Sequence, residues 1–375
     1  MKILYFSRNY TPHDYRFLSS LSKTEHYIYY MKLEADQRQT EDRSLPSSIQ
    51  QVLWAGGQRE FRWRNLPRLA IDFRRVVKEI KPNLIHAGPI QTCAFIAVLS
   101  SFRPILTMSW GYDLVLEADR NSATKRITTY VLRNSAFFVG DAKISRDKAV
   151  AFGMDPEKIM IFPWGTDLKH FKPSTKIKKE AITLFCNRTW ESIYGVDVLA
   201  KAFVKVATAN PHVNLILLGG GSQGPRIRQI LMNGGVLDRA HFGGQIGQSD
   251  LPRWYHMADI YISPSHVDGS SVSLMEALAC GLPGLVSDIP GNQEWIVEGE
   301  NGWLFRDGDA DDLAEKIMYA IKNRRSLKKM GESARKTAEQ KADWKKNFGK
   351  LLEAYKKVMS LRGANDSERR SNLHR

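Results

Sequence analysis

Short apolar runs alternate with amphipathic stretches along almost the whole chain, and this alternation restricts the possible folds more than any other feature. Lys2–Phe6, Leu84–Ala87, Ile105–Met108, Phe137–Gly140 and Ile159–Phe162 read as buried strands. Between them, Tyr15–Ser22, Leu66–Ile80, Ala123–Leu132 and Ile144–Phe152 carry apolar residues at helical spacing. A series of this kind predicts an α/β fold with a parallel, doubly wound sheet, because each crossover helix must cover a sheet face.

The stretch PWGTDLKHFKPSTKIKKE (163–180) is rich in Pro, Gly and Lys and has no sustained period, so it is expected to link two domains. The alternation then resumes. Strands are predicted at Ile182–Cys186, Asn214–Leu218, His241–Gly243, Ile260–Ile262 and Gly284–Ser287. Helices are predicted at Gly195–Ala209, Gly224–Asn233, Asp250–Met257, Ser273–Ala279 and Asp311–Asn323. At 375 residues the chain is long enough for two cores. The expected organisation is a Rossmann-like domain over 1–165, a second over 175–343, a long helix over 344–362 and a disordered polar tail over 363–375. Two such domains would face each other across a cleft, and ligands bind beyond the carboxyl ends of parallel strands.

Composition removes several classes of function. No apolar run reaches the length of a membrane span, and MKILYFSRNYTP reads as a first strand rather than a secretory leader. The expected location is the cytoplasm. Cys93, Cys186 and Cys280 are far apart and lack metal-ligand spacing, so buried thiols are expected, with no metal and no other cofactor. A net charge of +15 favours polyanionic partners. One basic stretch rich in aromatics is GGQREFRWRNLPRLAIDFRRVVKEIKP (56–82), whose second half has a helical period. A solvated basic helix face is the plain reading. The sharper one is peripheral contact with an anionic membrane through Phe61–Arg75. No nucleic-acid-binding motif is present, and no nucleic-acid partner is expected.

The chemistry concentrates in DGSSVSLMEALACGLPGLVSD, from Asp268 onward. Ser273 and Glu276 fit a capping box, with Ser273 as N-cap, and Asp268 then serves only as a turn former. Alternatively, the exposed amides of a helix start suit a phosphate, and a carboxylate further along suits paired hydroxyls. A glycosidase pair fits poorly. Eight helical positions at ~1.5 Å rise separate two carboxylates by about 12 Å, against ~5–9 Å for catalytic pairs.

This stretch resembles the E-x7-E region of the family 4 retaining glycosyltransferases of GT-B fold. FPWGTDLKHFKP, CNRTWESIYGVDVLAKAF, LILLGGG, ADIYISPS and GENGWLF with GDADDLA follow the family's order over about three hundred residues. The resemblance implies two Rossmann-like domains, with the last helix crossing back to the first. It implies that Gly269, Ser270, Ser271 and Val272 form the turn that presents amides to a donor diphosphate. Asp268 would bond a hydroxyl of the transferred sugar and Glu276 the ribose, with Ser273 beside it. Arg188 would neutralise the diphosphate, and the backbone at Gln245 and Ile246 would meet the base. The implied activity moves a sugar from a nucleoside diphosphate, with UDP expected ahead of GDP, to a glycan or lipid-linked acceptor with retention. The departing phosphate then helps deprotonate the acceptor hydroxyl, and no protein nucleophile is needed.

The chain departs from the family's pattern in both domains. Asp268 stands where Glu is usual, and Tyr194 precedes Gly195 where a lysine is often found. In the first domain RNYTPHDYRF replaces a glycine-containing loop, and Trp110 of SWGYDL replaces a histidine. Asp113 is retained as a site candidate. His13 could contact sugar or acceptor, or simply cap or pack, and His86 reads as a structural histidine. Two other readings accompany the transferase: a non-catalytic polyanion or nucleic-acid binder on a degenerate form of the same shell, and a sugar-nucleotide epimerase.

Overall fold

A computed structural model describes residues 1–35, 41, 43–174 and 181–373, the side chains of 362–373 excepted. The chain forms two compact units, one of Met1–Phe162 with Phe348–Arg375 and one of Pro163–Asn347.

The first unit begins β1 (Lys2–Ser7), α1 (Pro12–Leu21), β2 (Tyr27–Lys32) and the short β3 (Gln50–Gln51). It continues through α2 (Leu66–Ile80), β4 (Leu84–Ala87), α3 (Phe95–Leu99), β5 (Ile105–Met108) and α4 (Tyr112–Val115). It then adds α5 (Ser122–Arg133), β6 (Phe137–Gly140), α6 (Lys143–Ala151) and β7 (Ile159–Ile161). The strands form one parallel sheet in the order β3-β2-β1-β4-β5-β6-β7. The order reverses between β1 and β4, where Ile3 stands opposite Leu84.

The second unit runs β8 (Ile182–Cys186), α7 (Val196–Ala209), β9 (Val213–Leu218), α8 (Gly224–Asn233) and β10 (Ala240–Gly244). Next come α9 (Leu251–Met257), β11 (Ile260–Ser263), α10 (Val272–Ala279), β12 (Gly284–Ser287) and α11 (Pro290–Gln293). It ends with β13 (Gly302–Phe305), α12 (Ala310–Lys322), α13 (Leu327–Lys341) and the start of α14 (Trp344–Leu373). Its parallel sheet has the order β10-β9-β8-β11-β12-β13, so the reversal falls between β8 and β11. Leu184 and Phe185 are consecutive on β8 yet belong to different apolar clusters. Side chains alternate along a strand, so the two clusters are the two buried faces of this sheet.

Both sheets are the parallel, helix-covered kind the alternation predicts. β2 has no counterpart among the predicted strands. Its sequence, YIYYMK, is tyrosine-rich, and Tyr27 at its start is 71% exposed. α13 is absent from the prediction for another reason. Its buried residues are Met330, Gly331, Ala334 and Ala338, so its apolar stripe is made mostly of small side chains. A Cβ on Gly331 would lie 2.3 Å from the Gly281 carbonyl, which shows how closely this helix approaches the end of α10.

The segment expected as a linker is partly structured. Thr166 bridges to Asp343, Phe171 is buried with the α10 side of the second sheet, and Arg335 Nη1 donates to the Phe171 carbonyl. Residues 175–180 lie outside the described residues. α14 counts with the first unit from Phe348 on, and its Tyr355 is buried there against His86. The expected tail, 363–375, falls on residues whose side chains are not described, although helix is assigned as far as Leu373. Among the described residues no helix is long and apolar enough to cross a membrane, and no group of three or more His, Cys, Asp or Glu is placed to hold a metal ion. All three cysteines are buried free thiols.

Candidate functional site

A parallel sheet leaves a crevice at the carboxyl ends of its strands where the strand order reverses, because neighbouring loops depart to opposite faces there. In the second unit that place lies beyond β8 and β11. The loop after β8 delivers Arg188 and the loop after β11 delivers Asp268. The two meet as an ion pair, with Asp268 Oδ2 2.7 Å from Arg188 Nη2. Arg188 Nη1 donates to Ser271 Oγ and Ser273 Oγ, both at 3.0 Å. Its guanidinium also lies over the Tyr194 ring, 4.4 Å from the centroid. Burial works to lower the guanidinium's pKa, but the Asp268 charge outweighs it and holds the group above its ordinary value.

The turn at 268–271 is held on several sides. Trp295 Nε1 donates to Ser270 Oγ at 2.8 Å. A Cβ on Gly291 would stand 2.1 Å from the Gly269 carbonyl oxygen and 2.6 Å from that of Asp268. Only a glycine in α11 allows that approach. Ser271, rather than Ser273, is the N-cap of α10, its Oγ accepting from the Leu274 amide at 3.4 Å. The expected capping box therefore does not form. Glu276 lies two residues beyond the N3 position, which Leu274 holds, and Ser273 instead holds Arg188. The amides of Val272 and Ser273 fall in the first turn, where helix geometry supplies no acceptor.

Glu276 is buried, and its carboxylate is held by donors from outside its own helix. Tyr255 Oη donates to Glu276 Oε2 at 3.0 Å, and Gln248 Nε2 donates to Oε1 at 3.2 Å. Tyr255 Oη also lies 3.0 Å from the Ser273 carbonyl and receives a bond from Asn187 Nδ2 at 2.9 Å. Burial and then the Glu276 charge raise the Tyr255 pKa, so this phenol stays protonated and can donate. Gln245 and Ile246 follow β10 on the loop that carries Gln248. Gln245 is exposed, while Ile246 packs against the apolar cluster that holds Tyr255. One network thus joins the loops after β8, β10 and β11 to the first turns of α10.

Tyr255, Gln248, Asn187, Gly291 and Trp295 are absent from the sequence-level site. Asn187 alone had a usable signal, since it directly precedes Arg188. The others become neighbours only through the sheet order.

The first unit's candidates lie around its own reversal point. Asp113 is buried and faces the protein. Its Oδ1 accepts from Ser109 Oγ at 2.6 Å and from the Trp110 amide at 2.9 Å, while Oδ2 accepts from the Ile90 amide at 2.9 Å. Burial raises its pKa against the pull of these bonds. The carboxylate braces the SWG turn. His13 is the second residue of α1 and lies 5.5 Å, ring to ring, from Trp110. Thr11 and Asp14 cap this helix, so His13 does not. His86 is fully buried, with Nδ1 2.7 Å from Tyr355 Oη.

The chain is similar to known proteins in sequence and in fold. Residues 167–337 match the family described as glycosyl transferases group 1, and residues 2–139 match the glycosyl transferase 4-like family. A D-inositol 3-phosphate glycosyltransferase of Paenarthrobacter aurescens is 24% identical over 68% of this chain and 66% of its own length. A GDP-mannose-dependent monoacylated α-(1-6)-phosphatidylinositol monomannoside mannosyltransferase of Corynebacterium glutamicum is 25% identical over 69% and 71%. The matches thus span roughly two thirds of these relatives. In fold, the chain is similar to sucrose-phosphate synthase from Thermosynechococcus elongatus, with a TM-score of 0.81 at 17% identity over 96% of this chain and all of that one. It is also similar to Anabaena HepE in complex with UDP and glucose, with a TM-score of 0.78 at 18% identity over 95% and 99%. The chain belongs to the family 4 glycosyltransferases of GT-B fold.

Proposed function

We propose that the protein is a retaining glycosyltransferase that moves a sugar from a nucleoside diphosphate to an acceptor hydroxyl. The observation that carries this reading is the placement of Arg188, Asp268 and the start of α10 together at the β8–β11 reversal, with buried Glu276 one turn further on. Breaking the anomeric C–O bond puts negative charge on the diphosphate. Arg188 and the Val272 and Ser273 amides are oriented donors for that charge, and fixed donors need no reorganisation as it develops. Asp268 accepts from a sugar hydroxyl, and Glu276, steadied by Tyr255 and Gln248, accepts from the ribose. The base lies along the Gln245–Ile246 backbone. The leaving phosphate takes the acceptor's proton on the face it departs from, which gives retention without a metal or a protein nucleophile. UDP is the preferred nucleotide, in keeping with the UDP complexes of HepE and of the pneumococcal O-GlcNAc transferase GtfA.

The acceptor we favour is a glycan or lipid-linked glycan of cell-surface synthesis, met at the cytoplasmic membrane face. In the first unit Trp63 is 49% and Ile71 68% exposed beside Arg64, Arg68 and Arg75. This combination suits contact with an anionic surface.

Thermal shift with UDP, GDP and ADP tests the donor site. Stabilisation by one nucleotide, lost in Glu276→Ala, supports the reading. No response to any of them, with salt-sensitive binding to nucleic acid instead, moves the protein to the polyanion-binder class. Slow hydrolysis of a donor panel, with the anomer of the released sugar read by NMR, tests the stereochemistry.

A further inference from the structure

The Arg188 guanidinium has two differently occupied sides. Nη1 is held by the hydroxyls of Ser271 and Ser273, which tie it to the start of α10. The opposite edge, made by Nε–H and Nη2, is the side that grips a carboxylate or phosphate through two parallel bonds. Asp268 Oδ2 occupies that edge at 2.7 Å from Nη2. The contact lies off the N–H direction: Asp268 Oδ2 and the buried Arg188 Nε are both without a hydrogen-bond partner. The edge is neutralised but not satisfied.

The rest of the turn cannot relax this contact. Gly291 presses on the carbonyls of Asp268 and Gly269, so the backbone that carries the carboxylate is fixed. Ser270 is fixed in turn by Trp295. With side-chain exposures of 12% for Arg188 and 18% for Asp268, little water reaches the pair. An anion that takes the free edge of Arg188 must therefore displace a carboxylate with nowhere distant to go.

We propose that the Arg188–Asp268 pair is a lock that favours the sugar-bearing donor over the bare nucleoside diphosphate, an inference that rests on the donor-site reading above. A diphosphate claims the Nε–Nη2 edge and leaves Asp268 without its cation. A donor that still carries its sugar gives the carboxylate hydroxyls to bond in exchange. The product, having lost that sugar, gives it nothing and sets an anion beside a poorly solvated carboxylate, which is costly. Asp268 therefore recognises the intact donor and, after transfer, helps expel the product by returning to Arg188. It is a specificity-determining residue whose effect on the product is opposite in sign to its effect on the substrate.

The test is calorimetric binding of UDP, GDP, UDP-glucose, GDP-mannose and inorganic pyrophosphate to the full chain and to its Asp268→Asn and Asp268→Ser variants. Melting curves of the unliganded proteins confirm that each is folded. Removing the competing carboxylate is expected to tighten UDP or GDP, and pyrophosphate, by about tenfold, the scale of one charge-assisted bond. The matching sugar nucleotide is expected to bind no tighter, so the preference for it over the bare diphosphate falls. If the parent protein binds UDP or GDP and neither variant binds it more tightly, the lock is wrong and the donor site stands. If none of the three proteins binds any of these ligands, the donor-site reading fails, and the lock fails with it.

Discussion

Tyr194 lies under the guanidinium of Arg188, 4.4 Å from ring centroid to Cζ, at the position where relatives often place a lysine. A lysine there would add a second point charge for a diphosphate. The tyrosine supplies none, but its ring steadies the Arg188 guanidinium. Truncation by Tyr194→Ala removes a cation–π contact worth about 0.5–2 kcal/mol. It is expected to weaken UDP or GDP binding by roughly 2- to 30-fold, while Tyr194→Phe keeps the face and stays near the parent. Equal affinity for all three proteins would show that the ring does not position Arg188.

Gly291 takes no part in the polar chemistry of the site, yet the turn depends on its lack of a side chain. A methyl group there must push the Gly269 carbonyl from 2.1 Å to an ordinary contact, which moves the turn that bears Asp268. Gly291→Ala is expected to lower stability by about 1–3 kcal/mol, as overpacking does, and to weaken nucleotide binding as well. A variant with lowered melting temperature and unchanged affinity would mean that the turn adapts without disturbing Arg188.

Tyr255 is the hinge of the Glu276 network. In Tyr255→Phe, Glu276 Oε2 loses the bond from the phenol and Asn187 Nδ2 loses its bond to the phenol oxygen, with little change in volume. Losing a buried hydrogen bond to a carboxylate costs about 1.5–3 kcal/mol. Urea titration should show that loss. Donor binding should fall with it, because Glu276 is then held less firmly. An unchanged denaturation midpoint would show that water replaces the phenol.

How much of this site is legible in sequence depends on whether a residue's role is local. Arg188, Asp268 and Glu276 stand out because they sit in a patterned segment, and the strands around them are short, apolar and bounded by turns. Tyr255 and Gln248 reach the site from α9 and the loop after β10, and no local pattern distinguishes them from other surface-helix and loop residues. The capping assignment went to Ser273 because S-L-M-E matches the motif, yet Ser271 begins the helix two residues earlier. Asp113 reads as a ligand because a carboxylate beside a glycine turn serves equally well as a brace. It accepts from Ser109 and Trp110, which are local, and from Ile90, delivered by the loop after the neighbouring strand β4.

Among the buried titratable groups of the first unit, His86 and Asp14 have opposing effects on stability. Burial pushes the His86 imidazole down to about 3, beside Tyr355 Oη. Burial also pushes the Asp14 carboxyl up to about 6, against the lowering pull of its bonds to Thr11, Ser7 and Tyr5. For His86 the unfolded chain binds the proton first. Its contribution is present above about pH 6.5 and is lost as pH falls toward 3. For Asp14 the folded chain keeps the proton longer. Its contribution is present below about pH 3.8 and is lost as pH rises through 6. Between pH 4 and 6 each group changes stability by about 1.4 kcal/mol per pH unit, with opposite sign, so the two largely cancel. Asp14→Asn removes one arm. Relative to the parent, its first unit should gain stability by up to roughly 3 kcal/mol from pH 4 to pH 6. Hydrogen exchange of the β1 amides measures opening of this unit separately from the other. A difference between the two proteins that stays constant across this range would show that Asp14 is ionised in the folded state throughout.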